Sequence, residues 1–446
     1  MGISLKWHLT YSALKTSIKI AVRWIILASL IGFLVGLAII IFRTSLNIFI
    51  SLSSSLELSF LIYLFPTIGI VASIFLVQKF TVEKRGHGAN SFIESYHTHW
   101  GEKYGTDTLV KTIASILTLG SGGSAGPEGP SIEVGGGLAS TLSKILHIPL
   151  KDAKLISLCG VAAAIGAVFH APISGCLFSC EIPYRDDIEY RALFPCFVSS
   201  IIGYLTSAQV FRERLIPTVI PAYDFALTDM PYFIVLGILI GIIGLLFTHL
   251  FYGINRLFSQ LNVSSYNKGI IGGLSVGGLA FLVALYIGNY MEGSILGIGY
   301  DVIGFLVYQP YVVSENLMVT LIILLLLLLG KMFATAITLG SGGVGGTVAP
   351  SFFIGAVLGA IVGILLGFYP SVMVVVSSIA FFAAIAHIPI TGVMLAAEIH
   401  GFDFVIPAGL ATLIGHFIAR GDNLYRTARV GKEEKVKVLP KYRHIP

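Results

Sequence analysis

Residues 332–397 contain no Asp, Glu, Lys or Arg, a run of 66 positions. A helix needs about 20 apolar residues to cross a bilayer, so this run alone holds about three crossings. Residues 155–180 and 230–255 are also free of charge. Over all 446 residues only 11% are charged and 55% are hydrophobic, where soluble domains carry about 25% charge. A soluble enzyme, a disordered chain and a nucleic-acid binder are excluded on that ground. The expectation is an all-α, polytopic membrane protein in contact with the lipid bilayer. Its 50 glycines, many inside the apolar runs, predict helices interrupted where they face something polar, since unpaired backbone groups are not tolerated against lipid.

The net charge of +5 gathers at the two ends. Lys6, Lys15, Lys19 and Arg23 lead in, and a basic stretch over 420–443 leads out. By the excess of Lys and Arg in cytoplasmic segments, both termini are expected in the cytoplasm and the protein in the plasma membrane. Asp422, Glu433 and Glu434 interrupt the basic tail, which argues against nucleic acid as a partner. No cleavable leader is expected, because the first strong apolar run is long and has no small-residue cleavage site. Cys159, Cys176, Cys180 and Cys196 lack metal-ligand spacing and read as small buried hydrophobes. No metal and no cofactor is called for.

Two stretches repeat. Lys111, Thr118-Leu-Gly-Ser-Gly-Gly123, Gly126, Pro130-Ser131 and Gly135 recur 220 positions later as Lys331, Thr338-Leu-Gly-Ser-Gly-Gly343, Gly346, Pro350-Ser351 and Gly355. At an offset of 217, His170-Ala-Pro-Ile-Ser-Gly175 and Glu181-Ile182 answer His387-Ile-Pro-Ile-Thr-Gly392 and Glu398-Ile399. The period is too long for a solenoid and is the size of half a transporter. The expected organisation is a cytoplasmic segment over 1–19, a first membrane repeat over 20–214, a linker over 215–231, a second repeat over 232–420 and a short basic cytoplasmic tail over 421–446. An odd number of crossings per half would invert the second copy. Duplicated halves with matching breaks place a substrate site where they meet, near the midplane.

Each break runs from a Gly-rich loop through Pro130 or Pro350 into a helix of small residues. Proline suits a first helical turn, where its missing N–H has no partner to lose. Two helix N-termini are therefore aimed inward, each with free N–H donors and a positive dipole end. Such a site holds a small anion without a buried cation that would trap it. Glu128 breaks the symmetry, since Val348 stands in its place in the second copy. It reads either as an acidic cap or as a gate, a carboxylate that competes for the anion site and leaves when protonated. Intramembrane ionisable residues are functional candidates by default, and the gate is the favoured reading.

Two other matches are set aside. Gly122 to Gly126 fits the hydrolase elbow around Ser124, and Gly340 to Gly345 fits a dinucleotide loop, but neither follows a strand in a βα pattern. A membrane hydrolase using Ser124 is the alternative from another class. His170 and His387, present in both copies, are expected to pair with backbone and pack a helix junction. Lys111 and Lys331, like Glu181 and Glu398, read as helix-end anchors.

These residues resemble the CLC family of chloride channels and chloride/proton exchangers. Gly126-Pro-Glu-Gly-Pro130 is similar to its G-[KR]-E-G-P motif, and Gly345-Gly-Thr-Val-Ala-Pro350 to its G-G-x-F-A-P motif. Gly86-His-Gly-Ala-Asn90 stands where the family has G-S-G-I-P, and Asn423-Leu-Tyr425 where its C-terminal tyrosine lies. The resemblance covers about residues 20–427. It implies inverted repeats with broken helices meeting at a central anion site, a homodimer and an anion pathway in each subunit. Backbone amides around Gly129, Thr347 and Val348 and the Tyr425 hydroxyl would hold the anion, with Glu128 as external gate and proton acceptor. A tail of about twenty residues after Tyr425 leaves no room for the paired CBS domains of many eukaryotic members.

Four positions depart from the family. Pro127 replaces a basic residue and removes an N–H. His87 replaces a serine that helps hold the anion in many members, and could donate or point away. Val348 replaces phenylalanine. Ile182 stands where exchangers with two adjacent glutamates have the second, which relays protons from the cytoplasm. Retention of Glu128 and Tyr425 favours exchange of chloride for protons, and the missing relay is the argument for a passive gated channel.

Overall fold

A computed structural model describes residues 2–54, 63–84, 88–212, 223–287, 294–309 and 316–432, with side chains from residue 17 onward. His87, much of the expected linker and the end of the tail lie outside them. Sixteen α-helices occur among the described residues, and they fall into two series of eight. The first is α1 (Gly2–Ser54), α2 (Phe65–Phe80), α3 (Gly88–Thr98), α4 (Gly105–Gly120), α5 (Glu128–Ile145), α6 (Leu150–Phe169), α7 (Pro172–Glu181) and α8 (Leu193–Ala208). The second is α9 (Met230–Gln260), α10 (Ser265–Ile287), α11 (Tyr300–Tyr308), α12 (Leu317–Gly340), α13 (Val348–Leu366), α14 (Pro370–Ala386), α15 (Pro389–His400) and α16 (Val405–Ala419). α1 runs unbroken past residues 19 and 20.

The repeat seen in the sequence is a repeat of structure down to single residues. α4 and α12 end at Gly120 and Gly340, and α5 and α13 begin at Glu128 and Val348, both 220 apart. α6 and α14 each stop at a histidine in the left-handed conformation, His170 at φ 54° and His387 at φ 58°. That backbone turns the chain at once into α7 and α15, each opening on a proline. The two rings pack in the junctions as expected: His170 against Tyr204, and His387 against His416 with its Nε2 3.1 Å from the Asp422 carbonyl.

The core is formed where small residues let helices touch. A Cβ on Gly135 of α5 would stand 2.3 Å from the Gly160 carbonyl oxygen of α6, and one on Gly355 of α13 would stand 2.4 Å from the Ser377 carbonyl oxygen of α14. Two helices in apolar solvent gain nothing by hiding apolar surface from each other, so close backbone approach supplies the packing energy. Among the described residues eight helices are long and apolar enough to cross a membrane. Those at 150–169 and 348–366 are 83% buried over their span, while the outer ones are at most half buried. The outer helices present Ile, Leu and Phe to the exterior, among them Ile26, Phe33, Ile41, Leu282 and Phe417, which is the arrangement for an integral membrane protein.

The two halves interlock. Gly126 and Gly346 exchange both backbone hydrogen bonds, at 2.8 and 2.7 Å, in an antiparallel bridge. The Thr338 hydroxyl accepts from the Ser124 N–H at 3.1 Å, and the Thr118 hydroxyl from the Val344 N–H at 3.2 Å. Glu181 at the end of α7 accepts from the Ile390 and Thr391 N–H groups at the start of α15, and Glu398 of α15 accepts from those of Ile173 and Ser174 at the start of α7. Each half thus satisfies orphan N–H groups of the other, the reciprocity of two halves related by a pseudo-twofold axis.

Candidate functional site

The breaks converge at the centre. α5 and α13 start two residues before their prolines, so Pro130 and Pro350 are third in their helices. There too the missing N–H costs nothing, because the first turn has no intrahelical acceptors for its donors. A Cβ on Gly129 would meet Gly346 Cα at 2.6 Å, and one on Gly346 would meet the Gly129 nitrogen at 2.5 Å. Only glycine lets the two helix starts come this close. Gly88, at φ 65° and opening α3, lies beside them, since a Cβ there would be 3.3 Å from Gly129 Cα. Three helix N-termini therefore point at one buried spot.

Glu128 is fully buried. Its side chain engages its own backbone N–H at the start of α5 and also reaches beyond that helix. It folds across Gly126, where a Cβ would collide with Oε2, and accepts a hydrogen bond at 3.2 Å from the Ala349 N–H, in the first turn of α13. Its other oxygen, Oε1, accepts from the hydroxyl of Tyr300. The carboxylate thus lies on the helix N-terminus of the opposite repeat, with the positive dipole end beneath it. Chemically it is an anion in a position where any small anion would be stabilised by the same donors.

Tyr425 reaches the same place from the chain's far end. Leu424 donates to the Ile385 carbonyl at 2.9 Å, Tyr252 donates to the Leu424 carbonyl at 2.8 Å, and Asn423 accepts from the Tyr425 N–H at 2.7 Å. Pinned so, the buried phenol interacts with the side chain of Thr347, the residue before α13. Glu128, Gly129, Thr347, Val348 and Tyr425 are brought together as the sequence suggested. His87 lies outside the described residues, although Gly88 next to it borders the site. Ile182 is buried at 1% exposure, and Glu181 beside it is held in its cap on α15.

Tyr300 is the residue the sequence reading missed. It opens α11, far from the repeated motifs, and the available signal was the Gly297–Gly299 pair ahead of an apolar helix. Lys331 positions it. This lysine is not the helix-end anchor expected: it lies in the interior of α12 with no exposure. Its ammonium donates to the carbonyls of Gly297 at 2.8 Å and Ile295 at 3.4 Å, and sits 5.0 Å from the centre of the Phe353 ring. It thereby clamps the turn leading into Tyr300. Lys111 likewise lies within α4, 3.6 Å from Glu83. Ser124 is buried with its hydroxyl 3.1 Å from that of Thr335, an arrangement of two hydroxyls that provides no base for a nucleophile.

Fold and site together define a multi-pass membrane protein of two inverted repeats, with helix N-termini converging at its centre and a carboxylate seated on one of them. The chain belongs to the voltage gated chloride channel family, whose model matches residues 68–420. It is 28% identical over 412 residues to the uncharacterized protein MJ0305 of Methanocaldococcus jannaschii, covering 92% of this chain and 96% of that protein. It is 29% identical over 372 residues to the H(+)/Cl(-) exchange transporter ClcA of Yersinia pestis, covering 79% and 73%. Among solved structures, a CLC-type fluoride/proton antiporter superposes with a TM-score of 0.78 at 20% identity, over 92% of this chain and 98% of that one.

Proposed function

We propose that this protein exchanges chloride for protons across the membrane, through a pathway in each subunit of a homodimer, with Glu128 as the protonatable gate. The observation that carries the reading is the hydrogen bond from Ala349 to the Glu128 carboxylate. A side chain that fills an anion site as an anion must be displaced by, or exchanged with, the ion that passes. Protonation removes its charge and its claim on the donors, so ion and proton take turns. With the carboxylate withdrawn, the amides of Gly129, Val348 and Ala349 and the hydroxyls of Thr347 and Tyr425 line the site. Among the described residues no Lys or Arg is hydrogen-bonded at these helix starts, so the ion would be held by dipoles and released readily. The relationship to an exchanger at 29% identity supports chloride and proton as the pair.

The passive gated channel remains the second reading, and a specific observation favours it. Ile182 carries no proton, and both oxygens of neighbouring Glu181 are engaged with α15. Purified protein in liposomes decides between them. An imposed chloride gradient is expected to drive protons uphill. Chloride flux without proton movement would make the protein a channel.

A further inference from the structure

A cleft of about 650 Å³ lies where the start of α1 meets the turn between α5 and α6. Ile18, Val22 and Ile26 form one wall, a stripe at one-turn spacing along one face of α1. Leu146 and Ile148 belong to the other wall, and Lys19, Arg23 and His147 stand among them. The volume is that of a ligand site, about 300–1,000 Å³, and Ile18, Val22, Ile26 and Leu146 remain exposed in it.

Both walls lie at a membrane boundary. No charged residue stands between Arg23 and Arg43, and that stretch of helix is about 30 Å long, the thickness of the hydrocarbon core. Lys19 and Arg23 therefore sit at headgroup depth. The span of α6 begins at Leu150, immediately after the other wall. Any apolar cleft at this depth accepts an acyl chain, and the charge is what sets this one apart. From Lys144 to Lys154 the chain carries Lys144, His147, Lys151 and Lys154 against a single acid, Asp152. Arg23 pairs with that acid at 2.8 Å and ties α1 to α6. Among the described residues Lys19 and His147 are left without an acidic partner. A phosphodiester supplies the missing charge, whereas a zwitterionic headgroup brings a cation of its own.

We infer that this cleft binds an anionic phospholipid, with its phosphate on Lys19 and His147 and an acyl chain along Ile18, Val22 and Ile26. The test titrates purified protein with dioleoylphosphatidylglycerol or dioleoylphosphatidylcholine and reads the affinity of the first lipid bound by native mass spectrometry. Wild type is expected to bind phosphatidylglycerol at least about fivefold more tightly than phosphatidylcholine. Lys19 is exposed, so its variants leave the packing intact. Lys19→Gln should weaken phosphatidylglycerol about fivefold and Lys19→Glu about thirtyfold, a change of one and of two charges beside an anionic headgroup. Phosphatidylcholine should stay within about twofold of wild type in both. Lys84→Glu makes the same reversal at an exposed position beyond α2, outside the cleft, and should leave both lipids within about twofold of wild type. Equal affinity of wild type for the two lipids, wild-type binding of phosphatidylglycerol by Lys19→Glu, or a Lys84→Glu variant as weak as Lys19→Glu overturns the inference. Phosphatidylglycerol held by monomers and lost from dimers would make a second copy of the chain the occupant, and overturns it as well.

Discussion

Tyr300→Phe removes one hydroxyl and leaves the ring, so it isolates the hydrogen bond from Tyr300 to the gate. A hydrogen bond to a charged group contributes about 1.5–3 kcal/mol. Its loss lowers the residence of the carboxylate on α13 by about 10- to 150-fold. The Ala349 N–H still holds Oε2, so the gate is loosened and the site persists. Since carboxylate and ion compete for the same donors, weakening the competitor strengthens the ion. Chloride titration by calorimetry is expected to show Kd falling at least about fivefold, toward the limit set by that residence. In a Glu128→Gln background the competitor has lost its charge, and Tyr300→Phe should then change Kd by less than about twofold, a coupling that a double-mutant cycle reads directly. An unchanged Kd in folded Tyr300→Phe protein, or an equal change in both backgrounds, would refute the competition.

Three other perturbations have definite outcomes. Glu128→Gln mimics the protonated gate, so its chloride flux should lose the pH dependence of the wild type. A retained pH profile would return Glu128 to a capping role. Gly346→Ala puts a Cβ 2.5 Å from the Gly129 nitrogen, against backbone that cannot yield, and should cost about 1–3 kcal/mol and lower the unfolding temperature while blocking flux. Normal flux and stability would mean that the helix starts are not packed this tightly. Glu181→Gln and Glu398→Gln each weaken one reciprocal cap, at about 0.5–2 kcal/mol, and should lower the unfolding temperature alike without uncoupling protons. Loss of coupling in Glu181→Gln alone would identify that residue as the internal proton relay in place of Ile182.

The repeat made much of this legible in advance. Two matching glycine-rich breaks at one spacing fix the same helix ends in both halves, because a motif that stops a helix once stops it again. The expectation of an anion site followed from proline and glycine chemistry at those breaks, and Glu128 stood out as a carboxylate that the second copy replaces with Val348. What remained hidden depends on distance across the fold. Tyr300 lies in α11, where no periodic pattern marks it, and it gains meaning only when packing brings it to Glu128. Lys331 was misread because a lone lysine in an apolar segment suggests an end, whereas here carbonyls of a turn some 34 residues earlier satisfy it inside the helix. The reciprocal caps of Glu181 and Glu398 were half visible, as helix-end carboxylates whose partners lie in the opposite repeat.

The account stands on a buried helix start that holds a bare halide once the carboxylate is neutralised. Anomalous diffraction from Glu128→Gln crystals soaked in bromide measures that directly. A bromide peak within about 3.5 Å of the Ala349 nitrogen, where Oε2 now sits, is the result expected. An empty helix start, in crystals whose bromide binds elsewhere, would contradict it.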